Sequence, residues 1–326
     1  MLKLDRYPSK PLNHAKTLPF HELFQNLFHP LNENHKTPKR PKAARGKPSG
    51  LSAHEQRNAI IERFISRWRQ QVGNDFYPAL RLILPEKDRD RPMYGLKEKA
   101  IAKILVKVLK INKDSEDGDS ILNWKNPGRA SGDFPGRCHE VLKKRAMRSK
   151  VGTMRIAEVN ELLDRLASFS KEDEQRSVFE EFYERMNADE MTWLIRIILR
   201  QMKVGATEKT FLNLWHPDGD ALFNVSSSLR RVCWELADPS LRLDKEQTDI
   251  TLMECFQPQL AQFQMHSFSK MIEKVTTHIE DEARERGDDE FWIEEKLDGE
   301  RMQLHMEETD DEENYPGGRK FGFWSR

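Results

Sequence analysis

Cysteine is scarce in this chain: Cys138, Cys233 and Cys255 are the three among 326 residues. They are far apart, with neither a C-x-x-C pair nor the Cys/His spacing of a zinc site. That excludes a disulfide-stapled scaffold and a zinc module, and it suits a reducing compartment. Long apolar runs are missing as well. No stretch approaches the ~20 residues that a helix needs to cross a bilayer, so no membrane partner is expected. The phosphate-cradling glycine loops of P-loop and dinucleotide-binding proteins are absent, as are internal repeats and any Ser/His/Asp constellation. Net charge is lacking too, because 54 Lys and Arg balance 54 Asp and Glu.

That zero conceals an asymmetry along the chain. Residues 1–50 hold ten Lys/Arg against three Asp/Glu, a balance of +7, whereas residues 281–313 hold four against sixteen, a balance of −12. A basic leader suits nucleic acid or nuclear import. The acidic run Glu307-Glu308-Thr309-Asp310-Asp311-Glu312-Glu313 reads as a solvated loop. Hydrophobic residues make up 37% of the chain, with seven Trp and 17 Phe, enough for sizeable cores and two domains.

Three regions follow from the pattern. Residues 1–53 read as a basic, largely flexible segment, with one short helix signalled by Phe20, Leu23, Phe24, Leu27 and Phe28. Its linker, Lys36 to Pro48, is too polar and proline-rich to fold alone. It reads as an import signal, a DNA-attracting tether or an insertion without specific role. Residues 54–245 read as helical, with stripes at Ile60, Phe64, Ile65, Trp68 and Val72, then Ile101, Ile104, Leu105, Val108 and Leu109, then Ile156 to Phe169. Asn187 and Glu190 form a capping box for a helix carrying Trp193, Leu194, Ile197, Ile198 and Met202. Gly205 stops it, and Thr207 caps the next helix, whose face holds Phe211, Leu214 and Trp215. Arg196, Arg200 and Lys203 lie at helical spacings and could present positive charge to phosphates beside the amides near Gly205; a solvated face and a helix pair that merely packs are the plainer readings. Residues 246–326 change character, with a short helix near 266–283 and then a hairpin. The fold class expected is mainly α, an all-helical domain followed by the start of an α+β domain.

The hairpin carries the chemical candidate. Phe291 to Leu297 and Glu300 to Met306 flank Asp298-Gly299, a pair suited to a two-residue type I′ turn. Lys296 then stands opposite Arg301, Glu294 opposite Gln303, and Trp292 opposite His305 on one face. Phe291, Ile293, Met302, Leu304 and Met306 form the other face, which reads as core. A like charge and loss of water both push a lysine's pKa down, which would make Lys296 a nucleophile near neutral pH. An ordinary solvated hairpin face is the alternative.

Lys296-Leu297-Asp298-Gly299 matches the K-x-D-G motif of the covalent nucleotidyltransferases. Three fixed letters arise by chance in about one chain in twenty-five of this length, so the upstream blocks decide. Asp75 to Pro85, Tyr94 to Glu98, Ser131 to Phe134, Val159 to Asp164, Trp193 to Ile198 and Phe256 to Ala261 resemble, in that order, signatures of the eukaryotic ATP-dependent DNA ligases of type IV. The similarity runs from about residue 54 to Arg326, and the basic linker resembles an insertion that points to a fungal source. Other eukaryotic ligases fit the Asp75 to Pro85 block less well.

The resemblance implies a nuclear enzyme that seals DNA breaks in nonhomologous end joining, with ATP and Mg2+ as cofactors and double-stranded DNA ends and nicks as substrate. It implies that Lys296 attacks the α-phosphate of ATP to form lysyl-AMP. Glu294 would sit at the adenine, Glu295 and Leu297 would line the nucleotide pocket, and Arg301 would meet the ribose or phosphate. The hairpin puts Glu294, Lys296 and Arg301 on one face and Glu295 and Leu297 on the other, so those two would act through backbone. Arg196, Arg200, Lys203 and Gly205 are the DNA-binding candidates. Ser325-Arg326 resembles the start of the next family motif. The expectation is therefore a fragment that lacks the later catalytic motifs and the C-terminal tail through which end-joining scaffold proteins would bind. Such a fragment would adenylate itself poorly, and a noncatalytic DNA-binding or scaffold role is the alternative.

Overall fold

The computed structural model describes residues 9–36, 51–125, 133–145, 147–148, 150–202, 204–244, 248–258, 267–276, 295, 299 and 301–325. The chain divides into two compact units, Met1–Asp249 and Ile250–Arg326. The regular elements among the described residues of the first are all helices.

Its N-terminal part is built into the core. Helix α1 (Phe20–Leu23), a π-helical turn (Phe24–Phe28) and α2 (His29–Lys36) run end to end. Phe20, Leu23, Phe24, Leu27, Phe28 and Leu31 are all buried. The short helix expected there thus reaches Lys36, and its apolar stripe is structural core. The approach is fastened by backbone pairing, with Phe20 N–H donating to the Met154 carbonyl at 2.8 Å and Ile156 N–H to that of Leu18 at 2.9 Å.

Helix α3 (Ala53–Gln71) starts at a capping box in which Ser52 Oγ accepts from the Glu55 amide and the Glu55 carboxylate accepts from the Ser52 amide. It buries Ile61, Phe64, Ile65 and Trp68, one helical face. Helix α4 (Tyr77–Ile83) is buried along nearly its whole length. It is followed by α5 (Glu98–Val108), α6 (Glu116–Leu122) and α7 (Phe134–Leu142). The stripe expected on α8 (Ile156–Ser168) is core at Ile156, Val159, Leu162, Leu163 and Leu166. Helices α9 (Glu172–Arg185), α10 (Ala188–Ile198), α11 (Glu208–Trp215), α12 (Gly219–Ser226) and α13 (Leu229–Glu235) complete the unit.

A charged network lies within this helical core. Arg81 donates to Asp88 at 2.7 Å and doubly to Asp164, and Arg91 donates to Asp164 at 2.7 Å and to Asn160 at 2.6 Å. Burial pushes the Asp164 carboxyl up, but the hydrogen bonds and charges of Arg81 and Arg91 outweigh it and hold the group below the usual carboxylate range. The network ties the Asp75 to Pro85 block to the Val159 to Asp164 block. Exchanging the Val159 to Asp164 block alone would leave the Arg81 and Arg91 guanidinium groups short of acceptors.

The second unit contains α14 (Phe268–Thr276) and an antiparallel pair, β1 (Met302–Glu308) with β2 (Arg319–Ser325). Met302 stands opposite Ser325, His305 opposite Gly322 and Glu308 opposite Arg319. The connection closes with Thr309 N–H on the Gly318 carbonyl at 2.9 Å, and Asp310 to Glu313 lie exposed within it. The acidic run therefore ends β1 and forms a solvated loop.

One expectation is reversed here. Met302, Leu304 and Met306 read as core, yet they are 67%, 58% and 44% exposed, and Phe321 and Phe323 on the partner strand are exposed with them. The opposite face is covered instead. His305 is buried, with its Nδ1 accepting from the Met253 amide at 3.0 Å, while Gln303 exchanges hydrogen bonds with the Phe256 backbone. Alternation gives two faces and cannot say which is covered; specific polar pairing with residues 253–256 decides it.

Candidate nucleic-acid interface and nucleotide-attachment segment

The turn between α10 and α11 is the better-defined of the two sites. Asn187 and Glu190 form the expected capping box, each donating its amide to the other's side chain at 2.9 Å. Glu190 is fully buried and also takes the Gly152 amide at 2.7 Å, which anchors the start of α10 against the residues before α8. The far end closes as a Schellman motif. Gln201 N–H reaches the Arg196 carbonyl at 2.9 Å and Arg200 N–H that of Ile197 at 3.1 Å, with Arg200 left-handed at φ 56°. Gly205 is left-handed again, at φ 74°. Two such residues in six swing the chain sharply, so α10 packs on α7 while α11 packs on α3 and α12.

Several distant elements hold this turn. Arg57 of α3 donates to the Gly205 carbonyl at 3.2 Å. Gln201 donates to Glu98, the first residue of α5, at 3.2 Å. Lys87 pairs with Glu208 at 3.0 Å. A Cβ on Gly205 would lie 2.9 Å from His35 Cβ, so only glycine fits there. Burial pushes the Glu86 carboxyl up, against the pull of Lys87 and Arg200. Arg200 is half-exposed, in a backbone conformation that glycine would adopt more easily.

Arg196 is placed differently from Arg200. It forms an ion pair with Asp133, whose other oxygen caps α7 through the Gly136 amide at 3.0 Å. It lines a cavity of about 470 Å³ with His29, Asp133, His139, Asp189 and Trp193. Within it Trp193 Nε1 donates to His29 Nε2 at 3.0 Å, and burial keeps the His29 imidazole below its usual pKa. Lys203 lies outside the described residues.

Of the hairpin candidates, Glu294, Lys296 and Leu297 also lie outside the described residues, as does the proposed turn at Asp298. Glu295 and Arg301 are exposed, and Arg301 immediately precedes β1. Among the described residues no group of three or more His, Cys, Asp or Glu side chains could hold a metal ion.

Sequence reading missed Arg57, Glu98, Gln201 and Lys87. None has a local signature, since each acts on a partner far along the chain; Arg57 and Gly205 are 148 residues apart.

A largely helical unit whose tight glycine turn bears cations, followed by a K-x-D-G segment, defines a class. The chain belongs to the DNA ligases, for the family model described as DNA ligase N terminus matches residues 19–216. Individual relatives narrow this. It is 61% identical to the DNA ligase 4 of Coccidioides immitis (strain RS) over 99% of this chain and 33% of that protein. It is 60% identical to the DNA ligase 4 of Aspergillus fumigatus over 99% and 33%, and 45% identical to that of Yarrowia lipolytica over 97% and 30%. The chain spans about a third of the length of these curated relatives.

Proposed function

We propose that this chain is the DNA-binding and nucleotide-attachment portion of a nuclear, ATP-dependent DNA ligase of type IV that seals breaks in nonhomologous end joining. The observation that carries the reading is a single similarity that spans the helical unit and the K-x-D-G segment together.

In this reading the Lys296 amine, having lost its proton, attacks the α-phosphorus of ATP. A phosphorus–nitrogen bond forms, the bond to the bridging oxygen breaks, and pyrophosphate leaves. The adenylate passes to a 5′-phosphate at the break, and the adjacent 3′-hydroxyl displaces it. Glu294 faces the adenine, Arg301 the ribose or phosphate, and Glu295 and Leu297 contribute backbone. Magnesium would neutralise the polyphosphate, but the described residues supply no ligand set for it.

The helical unit would grip phosphates and the minor groove without reading bases, because end joining must accept any sequence. Arg200, Lys203 and the amides near Gly205 are the contact groups. Arg196 joins them only if it leaves Asp133. Scaffold proteins of end joining would dock on parts of the enzyme outside this chain.

Binding of the 326-residue chain to nicked duplexes of unrelated sequence tests the DNA reading. Equal affinities that fall steeply with salt are expected, and strong sequence preference or no binding would refute it. With labelled ATP and magnesium, rapid self-adenylation is not expected. Rapid labelling at Lys296 would overturn that expectation, and labelling at another residue would remove Lys296 as the nucleophile.

A further inference from the structure

Arg57 is an unusual cation. Its Nη1 donates to a backbone carbonyl, that of Gly205, while its Nε is buried without a partner. Among the described residues no carboxylate pairs with it. A half-buried guanidinium committed to one carbonyl, in a turn that has carboxylates at Glu86, Glu98 and Glu208, asks for a reason beyond charge balance.

Peptide geometry supplies one. Every described peptide bond is trans, and in a trans peptide the carbonyl and the following N–H point in opposite directions. Drawing the Gly205 oxygen towards α3 therefore turns the Ala206 N–H away from α3. No acceptor among the described residues takes that N–H, and Ala206 is only half-buried.

We propose that Arg57 is a positioning residue which holds the Gly205–Ala206 peptide plane so that the Ala206 amide donates to a DNA phosphate oxygen. This rests on the DNA-binding reading given above. Glycine populates both hands of backbone space, so without a restraint this plane can turn over and present its oxygen to the phosphate, replacing attraction by repulsion. A planar guanidinium fixes a direction as well as a charge, and its charge polarises the peptide and strengthens the N–H as a donor.

The test measures binding of nicked duplex over a salt series by the parent chain, R57A and R57K, with thermal melts alongside. R57A is expected to bind about tenfold more weakly, the size of a lost hydrogen bond to a charged group. The slope of log affinity against log salt should stay unchanged, because no cation leaves a phosphate. The Ala206 15N–1H resonance should move downfield when the parent binds DNA and stay in place in R57A.

A slope reduced by about 0.9 would put Arg57 itself on a phosphate and overturn the positioning role. Unchanged affinity in R57A would overturn it as well. Should R57A fail to fold, R57K decides: weakened binding at the parental slope is expected, and parental affinity refutes the proposal. A parent chain that does not bind DNA brings down the DNA reading, whereas a parent that binds with an unmoved Ala206 resonance brings down this proposal alone.

Discussion

Replacing Arg200 by glycine separates what that residue costs the fold from what it does for DNA. Arg200 occupies the left-handed position of a Schellman motif, with φ 56° and both of the motif's hydrogen bonds formed. A side chain there costs about 1 kcal/mol relative to glycine in the folded state. Glycine loosens the unfolded chain by roughly 0.5–1 kcal/mol, which offsets most of that gain. R200G should therefore change the stability of the helical unit by between about 0 and +0.5 kcal/mol, with a melting temperature equal to or slightly above the parent's. Its DNA binding should weaken. Loss of one phosphate contact lowers the salt slope by about 0.9, equivalent to roughly eightfold in affinity at 0.1 M salt relative to 1 M. Circular-dichroism melts and fluorescence anisotropy on a nicked duplex measure the two effects. Lys110 sits in the same motif after α5, at φ 51° with Ile111 N–H on the Val106 carbonyl, so K110G reports the backbone contribution on its own. If R200G lost more than about 1 kcal/mol, the strain argument would be wrong. An unchanged salt slope would remove Arg200 from the interface.

The remaining expectations can be checked on the same chain. G205A meets both a left-handed backbone and the His35 side chain, so it should destabilise the helical unit by about 1–3 kcal/mol in urea titrations and weaken DNA binding in parallel. R196A should leave the salt slope of DNA binding almost unchanged, because Asp133 already holds the side chain; a fall of about 0.9 would show that Arg196 leaves Asp133 for a phosphate. Asp164 has a depressed carboxyl pKa, so its share of stability is present above the unfolded value and is lost as pH falls through the folded one. Urea midpoints should drop below about pH 4, and D164N should start lower at pH 7 and flatten that dependence.

Much of the helical unit was readable because its information is local. The capping box at Asn187 and Glu190 and the cap at Thr207 each rest on residues within one turn of one another, and both are present as expected, whereas the helix expected to run through Met202 to a stop at Gly205 ends at Ile198, because Arg200 takes the left-handed position that closes it. The stripe on α3 reads with Ile60, whereas Ile61 is the fully buried residue, a shift within one face that periodicity cannot resolve. The first helix read as an appendage because its flanks are polar and basic. What places it in the core is pairing of Phe20 with Met154 and of Leu18 with Ile156, which no local pattern announces. The same limit applies to the site. Helical spacing put Arg196 and Arg200 in one row, but Asp133, 63 residues away, claims the first. In the second unit the alternation of Met302 to Met306 was correct as a period, while the covered face was set by Met253 and Phe256.

The water-facing side of the β1–β2 ribbon has a practical consequence. Met302, Leu304, Met306, Phe321 and Phe323 form an adhesive band. Preparations should brighten hydrophobic reporter dyes while still fully folded, and should self-associate as they are concentrated. Swapping Leu304 and Phe323 for threonine should suppress both behaviours without altering the melting of the helices, which makes the doubly substituted chain the more tractable reagent for every titration described above.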